Sequence, residues 1–134
     1  MYLIVFCGSP GSGKTTLSKE IAKEYGFNRI SMDEMKIFRH GELIPFIVSS
    51  LQEGNNTIVD SLYTKTAWRK ELLEAIENIR CEKVLVYMDI PLAKCIKRNA
   101  GRENSLDAYI VEDIYKSIEK PCITEGWDRL EKVS

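Results

Sequence analysis

The spacing of apolar residues changes along the chain, and each change marks an element. Residues Tyr2 to Cys7 form an unbroken apolar run of strand length, which predicts a buried strand. From Lys14 the period lengthens. Leu17, Ile21 and Tyr25 recur every four residues and Ala22 joins them, while Lys19, Glu20 and Lys23 fall elsewhere. That is a helix over 14–25, ended by Gly26. Phe27 to Met32 predicts a second short strand, with Asp33 where it gives way to a further helix. A helix is expected over 41–53 although Pro45 falls inside it, then a turn at Gly54-Asn55-Asn56 and a third strand from Thr57 to Asp60. Residues 65–79 read as a helix with Trp68, Leu72, Ile76 and Ile79 on one face and Arg69, Lys70, Glu74 and Glu77 on another.

Lys83 to Asp89 predicts a fourth strand. Pro91 opens a helix at its first turn, where a missing N–H costs nothing, with Leu92, Cys95 and Ile96 inward and Lys94, Lys97 and Arg98 outward. Gly101 to Asn104 is a break. Ser105 is placed to cap a last helix on which Leu106, Ile110, Ile114 and Ile118 are spaced by fours, and Pro121 stops it. The tail 126–133 is expected to add a fifth strand. Strands alternating with helices argue for an α/β, three-layer sandwich: a five-stranded parallel sheet with helices on both faces. Ligands of such sheets bind at the carboxyl ends of the strands. Gly8, Asp33, Asp60 and the stretch after Asp89 all follow predicted strands and gather along that one edge.

The run Gly8-Ser9-Pro10-Gly11-Ser12-Gly13-Lys14-Thr15 meets the Walker A phosphate-loop pattern, with a strand before it and a helix after it. The glycines let the backbone curl so that its N–H groups surround phosphate. The helix starting at Lys14 adds unpaired amides and the positive end of its dipole. Lys14 can reach the β- and γ-phosphates of a nucleoside triphosphate, and the Thr15 hydroxyl can hold Mg2+. Asp60 ends an apolar strand where it either completes the metal shell or serves a turn before Ser61. Asp33 can cap a helix or take the proton from a hydroxyl acceptor, and the two roles are compatible. Arg98 and Arg102, four apart across the Gly101 break, form either a solvated face or a lid over 98–105 that closes guanidinium groups on the transferred phosphoryl. Lys36, Arg39 and His40 either touch an anionic acceptor or end a polar helix. Trp68 and Trp127 read as core rather than as base-stacking platforms.

Length and composition add bounds. At 134 residues the chain fits one domain, P-loop over its whole length. A net charge of -1 provides no global signal for nucleic acid. Four cysteines (Cys7, Cys81, Cys95 and Cys122) without a Cys-x-x-Cys pair, and a single histidine, argue against structural zinc and for reduced cysteines used as small hydrophobes. The apolar start is too short for a membrane span and has no signal-peptide leader, so a cytoplasmic protein without membrane partners is expected.

Together these residues resemble the 5′-kinase domain of the polynucleotide kinases, especially the phage kind. The likeness covers nearly the whole chain. It rests on the phosphate loop through Thr16, on Ser31-Met32-Asp33-Glu34-Met35-Lys36, on Ile58-Val59-Asp60-Ser61 and on Asp89-Ile90-Pro91. Lys97-Arg98-Asn99, Arg102 and Tyr115-Lys116-Ser117 are its narrower part. The resemblance implies a P-loop kinase fold, ATP and Mg2+, and transfer of the γ-phosphate to a 5′-hydroxyl of RNA or DNA. It implies that Asp33 is the general base, that Arg102 and Arg98 hold the transferring phosphate, and that Lys36 meets the acceptor's nearest phosphate. The family has arginine where Lys36 stands, so the two-pronged grip is lost. The 34–56 connection is also much shorter than the family's, and no second domain for 3′-phosphatase activity is expected. Two rivals stand beside this reading: a small-molecule kinase for a nucleoside, sugar or sugar acid, and a nucleotide-switched binding module. A basic, open cleft favours the polymer, and a closed pocket the small molecule.

Overall fold

The computed structural model describes all 134 residues. Five strands form one sheet: β1 (Tyr2–Cys7), β2 (Asn28–Ser31), β3 (Thr57–Asp60), β4 (Glu82–Met88) and β5 (Arg129–Val133). Their order across the sheet is β2-β3-β1-β4-β5 and every pairing is parallel. Alternation along β1 explains the layers. Leu3, Val5 and Cys7 enter one core cluster, and Ile4 and Phe6 the other. The first cluster takes Ile47 and Leu51 of α2 (Ile44–Gln52) and Leu72 of α3 (Thr66–Ala75). The second takes Leu17 and Ile21 of α1 (Lys14–Tyr25), Cys95 of α4 (Leu92–Ala100) and Val111 of α5 (Ala108–Lys116). A strand with two apolar faces is thus covered on both, as the continuous apolar run of β1 requires.

The expected elements are present with shifted ends, except that the chain directly after Asp33 forms a turn over 32–36 and not a helix. The stretch expected as one helix over 41–53 splits into a 3-10 turn, His40–Leu43, and α2, so that Pro45 sits in the first turn of α2 instead of its interior. Tyr25, expected inward, is the last residue of α1 and 65% exposed. The helix expected over 65–79 ends at Ala75, although Ile76 and Ile79 still reach the core from the turn that follows. Arg69, expected on its polar face, is fully buried and pairs with Glu125. Ser105 caps nothing. α5 begins at Ala108 with Asp107 before it, Val111 takes the fully buried position, and Leu106 is 41% exposed. Asn99 is the reason: its side chain donates to the Leu106 carbonyl and accepts from the Leu106 N–H at 2.7 and 3.2 Å, pulling the break out of helix. Of the cysteines, Cys7 and Cys95 are buried, while Cys122 is exposed and so does not serve as a core hydrophobe. No helix is long and apolar enough to cross a membrane.

Candidate active site

The phosphate loop joins β1 to α1 at the carboxyl edge of the sheet. Its glycines are required one by one. Gly11 has φ +79°, and a Cβ there would lie 2.2 Å from the Cys95 carbonyl oxygen of α4. A Cβ on Gly8 would lie 2.8 Å from the Met88 Cβ. The loop therefore packs backbone to backbone on α4. Its own bonds are few: Gly8 N–H donates to the Leu62 carbonyl at 3.1 Å and Ser12 N–H to the Ser9 carbonyl at 3.2 Å. The N–H groups of Gly11 and Gly13 find no partner in the chain, which leaves them for an anion along with the first amides of α1. Lys14 is folded back under the loop, 7% exposed, with Nζ donating to the Ser9 carbonyl at 3.3 Å. Burial pushes its pKa down, and Asp60 opposes that shift.

Thr16 follows on the first turn of α1. The Thr15 hydroxyl donates to Asp60 Oδ2 at 2.9 Å, so β3 and α1 bring these two oxygens together. Asp60 is 6% exposed and needs its partners. One of them was not legible in the sequence. Arg29 of β2 donates to the same Oδ2, to Ser18 Oγ at 2.8 Å and to Glu34 Oε1 at 2.8 Å. A basic residue on a short strand carries no local signal. Only the β2–β3 register, which pairs Arg29 with Ile58 two residues before Asp60, brings it there.

Asp33 does not cap a helix. Residues 32–36 form a turn in which Lys36 N–H donates to the Asp33 carbonyl at 3.2 Å, and the next helical residue is His40. The Asp33 side chain is 86% exposed and lies 3.6 Å from Arg102, which arrives from beyond the end of α4. An exposed pair of that length is worth about 1 kcal/mol or less, so a ligand can separate it. Arg98, one turn earlier, donates to the Ser12 carbonyl at 3.2 Å and rests on the phosphate loop. Both arginines line a cavity of about 680 Å³ with the loop, and there Lys14, Lys94, Arg98 and Arg102 face the single acidic side chain Glu20. The cleft is basic although the chain is not. Lys36 is exposed, on the turn after Asp33, with φ 56°. Arg39 is likewise exposed, whereas His40 is buried against Trp68 at a ring distance of 4.0 Å and does not face the cleft. Trp127 is in the core.

A parallel sheet in this strand order, a phosphate loop after β1 and a carboxylate ending the neighbouring strand define the P-loop kinase fold. The chain belongs to the AAA domain family, which matches residues 3–42 and 39–121. An adenylate kinase of Mesoplasma florum is 27% identical over 124 residues, 74% of this chain and 58% of its own. An L-seryl-tRNA(Sec) kinase of Methanococcus maripaludis is 24% identical over 142 residues, 94% of this chain and 56% of its own. The chain thus spans little more than half the length of these relatives. A crystal structure of a sugar kinase from Janibacter sp. superposes with a TM-score of 0.76 at 18% identity, covering 98% of this chain and 85% of that one, which is a likeness of fold.

Proposed function

We propose that this chain is an ATP-dependent kinase that phosphorylates the 5′-hydroxyl end of RNA or DNA. The observation that carries the proposal is the Asp33–Arg102 pair. A carboxylate 86% exposed stands beside the basic cleft, with an arginine 3.6 Å away, so that acceptor and phosphoryl can meet between them. Nothing roofs Asp33 on its outer side, and an open carboxylate suits a hydroxyl borne by a polymer end.

In this reading the loop amides and Lys14 hold the β- and γ-phosphates. Asp33 takes the proton of the 5′-hydroxyl as its oxygen bonds to the γ-phosphorus, and the bond from that phosphorus to the bridging oxygen of ADP breaks. Arg98 and Arg102 meet the charge on the phosphoryl in passage. Lys36 offers a cation to the acceptor's nearest phosphate. Thr15 and Asp60, a hydroxyl and a carboxylate 2.9 Å apart, are the hard oxygen donors that Mg2+ takes, and the Asp60 Oδ1 accepts nothing from the chain. They would hold the ion, which neutralises charge on the β- and γ-phosphates when bound.

Asp33→Asn should keep ATP affinity and lose transfer by about 100-fold or more, the scale of general-base catalysis. A variant that retained half its rate would remove Asp33 from the mechanism. A second reading, a small-molecule acceptor, draws on the likeness to an adenylate kinase and on the short 34–56 connection. The exposure of Asp33 weighs against it, since a small acceptor is ordinarily enclosed.

A further inference from the structure

Residues 31–40 fold so that side chains leave in opposite directions. Met35 N–H donates to the Ser31 carbonyl at 3.0 Å and Ile37 N–H to the Met32 carbonyl at 3.1 Å, closing the turn that carries Asp33. Met32, Met35 and Ile37 pack on the core, and His40 is buried on Trp68. With those four anchored inward, Lys36, Phe38 and Arg39 are left outward. Lys36 holds a left-handed φ of 56° to do so, a conformation a non-glycine residue rarely takes and one that clusters at functional sites.

Phe38 is 90% exposed, against 65% and 63% for Tyr25 and Tyr109, the next most open large apolar side chains. Its backbone follows Ile37, which is hydrogen-bonded to the residue before Asp33, so Phe38 leaves the chain directly after the turn that carries the open carboxylate. Neither Lys36 nor Arg39 enters an ion pair. An exposed aromatic ring flanked by two free cations is the combination that binds single-stranded nucleic acid, the cations tracking phosphates and the ring stacking a base. A protein partner anchored on Phe38 would want further apolar surface at the centre of the patch, where charge is depleted, and the exposed residues nearest Phe38 in the chain are Lys36 and Arg39 instead.

We propose that Phe38 is a base-stacking platform, taking the face of a nucleobase close to the reacting 5′ end. This rests on the polynucleotide acceptor proposed above and deepens it by naming the subsite that holds the strand. Phenylalanine offers no hydrogen bond, so the subsite accepts any base.

The test compares wild type, Phe38→Ala and Phe38→Trp on a short 5′-hydroxyl oligonucleotide, and on the same strand with its first two nucleotides abasic. Phe38→Ala should raise the acceptor KM about tenfold, the scale of one lost stack, with kcat and the ATP KM within about twofold. Phe38→Trp should restore the KM and lose fluorescence on titration with the intact strand. On the abasic strand, wild type and Phe38→Ala should coincide. An unchanged KM in Phe38→Ala on a strand that wild type phosphorylates overturns the proposal. So does a KM defect that persists undiminished on the abasic strand, or a change in oligomeric state as the sole effect of Phe38→Ala. If wild type phosphorylates no oligonucleotide, the acceptor reading itself fails and this subsite falls with it. Thermal melting checks the fold of each variant, and the exposure of Phe38 means that neither should shift it.

Discussion

Replacing Arg69 by methionine should destabilise the protein severely although Arg69 lies outside the cleft. Its side chain is fully buried, and its guanidinium fills its donors. Nε and Nη2 grip Glu125 at 2.8 and 2.9 Å, Nη1 donates to the Tyr63 carbonyl at 2.8 Å, and Nη2 also donates to the Glu119 carbonyl at 2.9 Å. Three separate stretches of chain are thus tied to α3. Methionine keeps the volume but leaves Glu125, 14% exposed, without its cation, and two carbonyls without donors. Removing one partner of a buried pair costs about 3–5 kcal/mol, and the partial exposure of Glu125 points to the lower figure. Unfolding entropy of about 2.1 cal/mol/K per residue over 134 residues is about 0.28 kcal/mol/K, so a loss of about 3 kcal/mol lowers Tm by about 11 °C. Calorimetry on wild type, Arg69→Met and the double variant with Glu125→Gln measures this. The double variant should regain part of the loss, because the stranded charge is gone. A drop of less than about 4 °C for Arg69→Met, or no recovery in the double variant, would refute the reasoning.

Two further perturbations probe the loop and the buried histidine. Gly11→Ala must accept a left-handed φ of +79° and a Cβ 2.2 Å from the Cys95 carbonyl oxygen, where ordinary contact begins at 3.4 Å, so the loop and α4 must part by about 1 Å. Affinity for a fluorescent ATP analogue should fall at least about tenfold with the protein still folded, and an unchanged Kd would contradict the packing. His40 has its pKa pushed down from 6.5 to about 4 by burial. The unfolded chain therefore binds the extra proton between those values, and stability falls as pH drops through that window, by at most about 1.4 kcal/mol per unit. His40→Gln should remove this component, so urea unfolding at pH 7 and pH 5 should show wild type losing more than the variant; equal losses would contradict the assignment.

The phosphate loop, α1 and the strands β1, β3 and β4 were legible because their signals are local: an apolar run, a period of four, glycines at fixed offsets. That Thr15 and Asp60 share the carboxyl edge of the sheet was legible too, since each ends or begins a readable element; the hydrogen bond between them was not. What escaped depends on register and long-range contact. Arg69 shares a helix face with Lys70 only in projection, and its burial is set by Glu125, which lies 56 positions away. Arg29 reaches Asp60 through the β2–β3 register. Asn99 decides where α5 begins by bonding Leu106 across the break, which no capping rule anticipates at Ser105. Asp33 was correctly placed at the end of β2, but the helix expected after it is a turn. That turn leaves its carboxylate open and in an ion pair with Arg102 rather than capping its own backbone.

The central claim is the acceptor, and the direct measurement is transfer of labelled γ-phosphate from ATP with Mg2+ to a 5′-hydroxyl oligoribonucleotide, an oligodeoxynucleotide and a panel of nucleosides and sugars, with Asp33→Asn as control. Label on the oligonucleotides, absent with Asp33→Asn, is the expected result. Label confined to a small acceptor, or released only as free phosphate, would contradict it.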